Sequence, residues 1–582
     1  MKIKNIKNIL AASAVYGLMS IAITSCSDDY MEDMNIDESK ASSIEPGAQL
    51  TTALLQTYGD FGLMDTYRSY ITGFTQHFAG GWNVSNYAGS VHASDDQMRL
   101  IWDQYYKVAI KNLVDAIVNS ADKPAINAVL RIHRVYLMSV LTDTYGDVPC
   151  IEAGLGFISG ISNPKYDKQE DIYNFFFDEL ASCVEQLGTA QDRIGGDVTS
   201  LSGDALAWRK YANSLRLRFA MRISDVNPSK AQEEFEKALK ADGGYIQSAS
   251  EDAYIIYTDG PFTLYVGSQD LDFRVNALGE ILYGQDPTSP TFVSSTFYNL
   301  MKKTSDPRLN RICRHYINTK RSEIKPDREW NVDVTDEVLS YVEKSGEIIH
   351  PCNPGAAWWH NWINGPANAD IPTLERIVNM YPEAGFDKNN FPARMMRPFL
   401  SIDMEMPNRP GFLISSAEVE FLLAEAKSKG WTVDGDVETH FKNGIIASMQ
   451  ILNNHYLESN KISESEIQDY IDGIIAEGTL TSNPREAINT QAWILHMMNP
   501  AEAWANLRRS DYPVLQDRTK LDKFEADFSY DDGNLQTPVR LRYPILEAQY
   551  NSVNYKKAVE DLGGTDDWHH RLWWDTKDIN VE

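Results

Sequence analysis

The sequence predicts a mostly α-helical protein in which two helical blocks flank a loop-rich middle, and three observations predict it. Apolar residues recur at helical spacing over about residues 46–247 and again over about 412–510. The stretch between, about 248–411, is rich in Pro, Gly, Asn and aromatic residues and holds few long periodic runs. No Gly/Ser-rich or Pro-rich linker interrupts the chain after its N-terminal segment, so residues 46–582 are expected to form a single globular domain.

The N-terminal segment has its own logic. Lys2, Lys4 and Lys7 form a basic stretch without acids, and an apolar run follows from Ile9 to about Thr24. That run is too short and too rich in small residues to span a membrane comfortably. It reads as a signal peptide over residues 1–25. It ends in Ile23-Thr24-Ser25-Cys26, an order that resembles a lipobox, so Cys26 is the expected lipidation site. Residues 26–45 then form an acidic tether opening with Ser27-Asp28-Asp29-Tyr30-Met31-Glu32-Asp33. Like charges extend such a segment, and the run also resembles the surface-export signal of Bacteroidetes-type lipoproteins. Lipid on Cys26 would supply the membrane affinity while the tether keeps the globule off the bilayer.

Helices follow in order. Ile101, Trp102, Tyr105, Ala109, Leu113, Ala116 and Ile117 make one apolar stripe. Pro124 sits where a helix begins, and Val129, Ile132, Tyr136 and Val140 continue it. Ile172, Phe175, Phe176, Leu180, Cys183, Val184 and Leu187 give a third helix, and a fourth runs from about Asp204 to Ser224. In the second block Ser415 caps an apolar run to Ala426, and helices continue over roughly Val437–Leu457 and Arg485–Arg508. Consecutive helix pairs of this length resemble tetratricopeptide repeats in architecture, although no repeat consensus recurs at a fixed period.

Charge and cysteine usage narrow the function. Removing residues 1–25 takes away three lysines and no acid, which moves the formal net charge from −28 to about −31. Such a surface repels phosphate backbones and anionic headgroups, so nucleic acid is excluded as a partner and neutral ligands remain. Beyond Cys26, the four cysteines Cys150, Cys183, Cys313 and Cys352 show neither CxxC spacing nor histidines at zinc spacing. Cys183 lies on an apolar helical face as a small core residue. A Cys313–Cys352 disulfide stays open. No metal and no cofactor are expected.

Several stretches together resemble the SusD/RagB family, in its SusD-like branch. They are Leu141-Thr142-Asp143-Thr144-Tyr145-Gly146-Asp147-Val148-Pro149, then Pro164-Lys165-Tyr166-Asp167, then Trp208-Arg209-Lys210-Tyr211-Ala212-Asn213-Ser214-Leu215-Arg216-Leu217-Arg218. Later come Ser415-Ser416-Ala417-Glu418-Val419-Glu420-Phe421-Leu422-Leu423-Ala424-Glu425-Ala426, Glu502-Ala503-Trp504 with Arg508-Arg509, and Arg542-Tyr543-Pro544 with the closing Trp573-Trp574-Asp575. Each is weak alone, but they keep the family's order and span most of the mature chain. Cys150 departs from the pattern, which more often has an aromatic there. The resemblance implies a tetratricopeptide-like helical-pair scaffold with a loop-built ligand face. It implies a lipoprotein of the outer membrane, facing the cell exterior, that captures oligosaccharide or another nutrient. It also implies a partner, a SusC-like TonB-dependent outer-membrane transporter for which the protein acts as extracellular lid, and no catalysis.

Most of the matching residues have a structural reading. Asn213, Arg216, Arg218 and Arg222 sit on an apolar helix, where buried arginines and amides must be paired, so they are expected to tie helices and loops together. Asp143, Gly146, Asp147 and Pro149 carry turn chemistry. Glu418, Glu420 and Glu425 are either a solvated face or pair partners. Trp573 and Trp574 read as core closure, and His569-His570 beside Asp566-Asp567 as a polar turn.

The ligand-binding candidates are aromatic loops. Gly80–Tyr87 places Trp82, Asn83 and Tyr87 in a Gly-bounded loop, matched to the family's ligand region by position. Pro354–Trp362 places Trp358, Trp359 and Trp362, three tryptophans in five residues, between Gly, Pro and Asn. Indole faces suit the apolar face of a sugar ring, and amides suit its hydroxyls. Packing of these indoles as an irregular core plug is the equal alternative. Tyr257, Phe262 and Tyr265 form a weaker third candidate. The rival functions are a surface glycoside hydrolase, which needs two carboxylates at a set separation, and a peptide-binding or protein-docking scaffold. No HExxH, GxSxG or phosphate-loop motif occurs in the sequence.

Overall fold

Three of the described helices begin at the same dipeptide. At Asn227-Pro228, Asn483-Pro484 and Asn499-Pro500 the Asn side chain accepts the N–H of the residue three further on, namely Lys230, Glu486 and Glu502. Proline fills the first helical position, where its missing N–H costs nothing. The computed structural model describes residues 44–80, 82–259, 273–283, 291–314, 316–318, 331–333, 354, 398–520 and 536–582. The signal peptide, Cys26, nearly all of the tether, Cys352 and the Trp358–Trp362 segment lie outside the described residues.

The principal helices are α1 (Pro46–Gly59), α2 (Lys111–Val118), α3 (Pro124–Tyr145), α4 (Gln169–Thr189), α5 (Ala205–Arg222) and α6 (Pro228–Leu239). The second block holds α7 (Ser416–Ser428), α8 (Val437–Ile451), α9 (Glu464–Ala476), α10 (Pro484–Leu495) and α11 (Pro500–Ser510), and α12 (Ser552–Asp561) follows near the C-terminus. Side-chain caps start several of them. Asp204 accepts from Ala207, Ser415 from Glu418 and Asp436 from Thr439, and Ser463 with Glu466 forms a capping box.

Each helix packs on its successor from α1 through α6, and α7 packs on α8, α10 on α11. Contacts of α5 with α7 and of α3 with α11 join the two blocks. The result is a mostly α architecture of stacked, tetratricopeptide-like helix pairs around one apolar core that runs from Leu50 to Trp574. Residues Pro46–Glu582 form one structural unit. No described helix is long and apolar enough to cross a membrane.

One expectation changes. The helix read over Arg485–Arg508 is two helices, because the apolar period runs on through Asn499-Pro500 while the proline cannot continue an i→i−4 ladder. The middle is described for fewer than half of its residues. Its described part contains helices Ala277–Tyr283, Ser295–Lys303 and Leu309–Ile312. Strands β1 (Phe78–Ala79), β2 (Ala253–Ile255), β3 (Phe292–Val293), β4 (Cys313–Arg314), β5 (Tyr316–Asn318), β6 (Asn331–Asp333), β7 (Phe399–Leu400) and β8 (Gly411–Ile414) form three antiparallel sheets. The largest has the order β1-β3-β7-β4, with Phe78 opposite Val293 and Phe292 opposite Phe399. In the smaller two, β2 pairs with β8 and β5 with β6.

Buried arginines fasten the blocks. Arg218 on α5 grips Glu418 on α7 through Nε (2.5 Å) and Nη2 (2.7 Å), and donates to the Leu413 carbonyl (2.6 Å). Arg222 reaches both Glu502 oxygens on α11 at 2.6 Å. Arg509 on α11 holds Glu425 on α7 at 2.6 and 2.7 Å, with Asn489 and Asn506 completing its hydrogen bonds. Burial pushes the Glu425 carboxyl up, but the Arg509 guanidinium outweighs it and holds the carboxyl at about 2. Glu418 and Glu425 are therefore buried pair partners, whereas Glu420 pairs with His440 near the surface. Asp143 belongs to the last turn of α3 rather than to the following turn; its Oδ1 accepts from Tyr173 and from the indole of Trp574, which closes the core. Gly146, at φ +93°, then ends the helix.

Candidate functional site

The first aromatic segment is built on a tight helical floor. Helix Phe61–Thr66 passes into a π-helical turn, Tyr67–Ile71, and then into Thr72–Phe74. Gly73 faces the next layer so closely that a Cβ there would stand 2.5 Å from the Cβ of Ala88. After β1, Gly80 turns the chain at φ +70° and a second helical layer begins. Trp82–Val84 is a turn of α-helix and Ser85–Gly89 a π-helical turn. The expectation of an irregular loop is therefore corrected: residues 82–89 are helical, because Gly73 lets Val84 and Ala88 seat on the floor beneath.

This arrangement separates the three residues expected to bind. Trp82 opens the helical turn. Asn83 is half-buried and turned inward, its Nδ2 donating to Asp65 Oδ1 (3.3 Å) and Ser69 Oγ (3.4 Å). Asp65 is itself paired with Arg68. Tyr87 is half-buried, and its ring lies 5.5 Å from that of Tyr70 and 5.9 Å from His92, nearly parallel to the latter at 29°. Burial raises the Tyr87 hydroxyl above its ordinary range, and the Asp65 charge adds to it. Tyr70 is fully buried, donates to the His92 carbonyl (2.7 Å) and accepts from the Ser94 N–H (3.0 Å), which fixes the turn that carries His92.

Tyr87 and His92 thus form an aromatic shelf, with Asn86 directly before Tyr87 in sequence. Sequence reasoning does not single out His92. Its N–H bonds the Tyr87 carbonyl five residues back, a π-type spacing, whereas an α-helical reading puts residues five apart on different faces. The shelf offers flat ring faces beside amide groups, which suits a sugar ring or another flat, uncharged group.

The other candidates divide. Trp358, Trp359 and Trp362 lie outside the described residues, as do Phe262 and Tyr265. Tyr257 is a core residue: it is 4% exposed, its hydroxyl donates to the Leu55 carbonyl (2.8 Å) and accepts the Tyr58 N–H (3.0 Å). Asn213 donates to the Gly244 carbonyl (2.8 Å) and to that of Asp242, tying α5 to the loop after α6. Asp566 accepts from Arg540 and Tyr543, and Asp567 from the His569 N–H, which makes the His569-His570 segment a polar turn. Cys150, Cys183 and Cys313 are buried free thiols.

Glu418, His496 and Glu502 bring potential metal-ligating atoms within 4.8 Å of one another. The two carboxylates are already bonded to Arg218 and Arg222, so a cation would enter beside two guanidinium groups and would have to break both pairs. The residues fit an ion-pair core rather than a metal centre.

Comparison with known proteins is consistent along the chain. Residues 38–328 match a family model described as "Starch-binding associating with outer membrane", and residues 383–575 match one described as "Susd and RagB outer membrane lipoprotein". Among solved structures, a Bacteroidetes SusD-like protein is 37% identical with a TM-score of 0.82, covering 92% of this chain and 100% of its own. A chitin-binding protein is 30% identical with a TM-score of 0.69 over the same shares. A chitin-binding SusD homolog from Flavobacterium johnsoniae shares the fold at 19% identity and a TM-score of 0.63, covering 92% of this chain and 99% of its own. No curated protein matches the chain.

Proposed function

The chain belongs to the SusD/RagB family of outer-membrane lipoproteins, and from that premise we propose that it captures oligosaccharide at the cell surface as the extracellular lid of a SusC-like TonB-dependent transporter. The observation that carries the glycan reading is the 30% identity to a chitin-binding protein over 92% of the chain. Lipid on Cys26 anchors the protein in the outer membrane, facing outward, and it performs no chemistry on what it binds. The helical stack is the rigid part. The Tyr87–His92 shelf supplies one aromatic surface, with Trp82 in the helical turn before it, and Trp358, Trp359 and Trp362 supply a second. Aromatic faces bind sugar rings through apolar burial, while the acidic surface disfavours anionic ligands.

Calorimetry of the purified lipoprotein against chito-oligosaccharides and malto-oligosaccharides tests the capture. Saturable binding of either, without shortening of the oligosaccharide, supports it; hydrolysis of the bound sugar moves the protein to the glycosidases, and binding of neither sugar but of peptides moves it to a different ligand class. The transporter is tested by affinity purification from mild detergent. A lid needs an interface larger than a transient contact of under about 1,200 Å², so a TonB-dependent barrel should co-purify in near-equal amount. Recovery of the lipoprotein alone from cells expressing the barrel defeats the lid reading.

A further inference from the structure

Among the described residues, the most exposed large apolar side chains are Phe157 (90%), Val553 (78%) and Tyr550 (73%). Single exposed apolar residues are ordinary, but a group of them on one surface marks an interaction site. These three come from distant parts of the chain, and hydrogen bonds join their segments. Phe157 and Ile158 sit on one helical turn, Gly156–Ser159, with no buried residue, and Gly160 ends it at φ +72°. Three residues later Asn163 donates to the Tyr550 carbonyl (2.6 Å), and its own carbonyl accepts from Asn554 (3.0 Å). Asn551 adds a bond to the Pro164 carbonyl (2.8 Å). At the base of the loop the Lys165 N–H donates to Glu152 (2.9 Å). Ile151 and Ile545 stand exposed beside these segments, and Asp95 holds the Ile545 N–H (2.8 Å).

Ordering such a loop costs chain entropy, and Phe157 returns nothing by burial in the free protein. The bonds that hold the loop therefore preorganise a surface for a partner.

Three observations say which partner fits. The surface borders the Tyr87–His92 shelf: Asp95, which holds Ile545, follows Ser94, whose N–H is bonded to the Tyr70 hydroxyl beneath the shelf. A lid carries its ligand on the side that faces the barrel, so apolar side chains beside the shelf face the barrel's rim. The globule also begins nearby. Gln49, in the first turn of α1, donates to Asp115 on α2 (2.7 Å), and Lys111 at the other end of α2 lies 5.0 Å from the Phe157 ring centroid. That helix is about 12 Å long, so residues 26–45 join the globule within reach of this surface. Finally, a chain of formal net charge −28 shows lysines here. Lys111 is exposed, as are Lys556 and Lys557, three and four residues after Val553 and on its side of α12.

We propose that Ile151, Phe157, Ile158, Ile545, Tyr550 and Val553 form the apolar centre of the surface that docks on the extracellular rim of the transporter barrel, against apolar residues ringed by carboxylates. The proposal rests on the lid reading above and adds to it the face by which the lid is held.

The test uses the full lipoprotein in cells that carry the barrel. p-Benzoylphenylalanine in place of Phe157 should, on irradiation, give a cross-link whose partner is identified by mass spectrometry as a TonB-dependent barrel. Phe157→Asp combined with Val553→Asp should lower barrel recovery in mild detergent at least tenfold. Its melting temperature should stay as in the wild type, because both side chains already stand in water. Leu206→Asp makes the same change at an exposed residue at the start of α5 and should leave recovery unchanged. If the wild type itself brings down no barrel, the lid reading falls and this surface with it. If the wild type and the folded double variant bring down the barrel equally, the lid reading stands and this surface is overturned. An equal loss from Leu206→Asp also overturns it. So does a cross-link from position 157 only to a second copy of the chain or to lipid, and that measurement decides alone should the double variant fail to fold.

Discussion

Arg218 and Glu418 stand 200 residues apart in the chain and meet as a buried two-bond pair, with 4% and 5% of their side chains exposed. The pair joins α5 of the first helical block to α7 of the second. Around it Arg222–Glu502 and Arg509–Glu425 make two more crossings between α5, α7 and α11. A pair of this kind gains little net free energy over a well-packed apolar pair, since two charges leave water to form it. Its consequence is positional: the guanidiniums and carboxylates interlock in one arrangement, with Glu502 facing both Arg222 and Arg218, so the blocks dock in one register.

That asymmetry gives the first prediction. Glu418→Gln leaves the buried Arg218 guanidinium with only Glu502, 3.5 Å away and already bonded to Arg222, as counter-charge, and should destabilise the protein by about 3 kcal/mol. The double variant Arg218→Met, Glu418→Leu should lose much less than the sum of the two single changes. Urea unfolding followed by circular dichroism reads both. Equal and additive losses from the two positions mean that the pair is not coupled as described.

A second prediction concerns pH. Asp252 is buried, its Oδ1 accepting the Ser416 N–H at 2.6 Å at the start of α7, and Oδ2 has no partner. Burial raises its carboxyl from 3.8 to about 7, with the Ser416 hydrogen bond opposing. A carboxyl raised on folding binds its proton more tightly in the folded state. Its contribution to stability is therefore full below about pH 4 and is lost as pH rises toward 7. Asp252→Asn keeps the acceptor and removes the charge. It should be near neutral at pH 4 and stabilising by about 1–2 kcal/mol at pH 8. A stability difference that does not change between those pH values contradicts this.

How far the sequence reaches is visible residue by residue. The cap at Ser415, the proline start at Pro124 and the need of Arg218 and Arg222 for partners are legible, because capping and the cost of unpaired buried charge are local rules, whereas Glu425 reads as well as part of a solvated face. The break at Asn499-Pro500 is written in the sequence, but the apolar period through Trp493 and Trp504 masks it. Strands of two residues, such as Phe78–Ala79 and Phe292–Val293, are too short for alternation to show. The π turns at Ser85–Gly89 and Leu452–Tyr456 have no period of their own, so the Tyr87–His92 shelf is not legible beforehand. Tyr257 misleads in the other direction: a Gly/Pro-rich neighbourhood suggests exposure, and only the fold shows its hydroxyl bonded to Leu55 and Tyr58.

On the shelf itself, Tyr87→Ala should weaken oligosaccharide capture several-fold while leaving the melting temperature nearly unchanged, since the ring is half-buried and lies on the surface side of Tyr70. Asn83→Ala should do the reverse, because its amide is engaged with Asp65 and Ser69; losing those bonds costs about 1 kcal/mol. Calorimetry with the bound sugar and thermal melts on the same two proteins separate the roles. A folded Tyr87→Ala variant of unchanged affinity removes this shelf from the site.

The anchor is tested at one atom. Cys26→Ala should abolish acyl labelling and free the protein from membranes or leave it unprocessed. A variant processed normally that stays membrane-bound through high-salt washing shows that something other than lipid on Cys26 holds it.

Gly73 provides the last test, and its sign is the informative part. In an exposed helix interior, replacing glycine by alanine is favourable by about 1 kcal/mol, because alanine loses less backbone freedom on folding. Here the added methyl would stand 2.5 Å from the Ala88 Cβ and 3.1 Å from a Val84 methyl. The layers must part, and overpacking of this kind costs about 1–3 kcal/mol. Gly73→Ala should therefore destabilise rather than stabilise, and it should also weaken sugar capture, because Ala88 adjoins Tyr87 in the same π turn. Ala88→Gly removes the opposing methyl. Added to Gly73→Ala it should restore stability in part, so that the two changes are less harmful together than their separate effects predict. A stabilising Gly73→Ala, or strict additivity with Ala88→Gly in chemical denaturation, would show that the layers beneath the shelf are not in contact at this point.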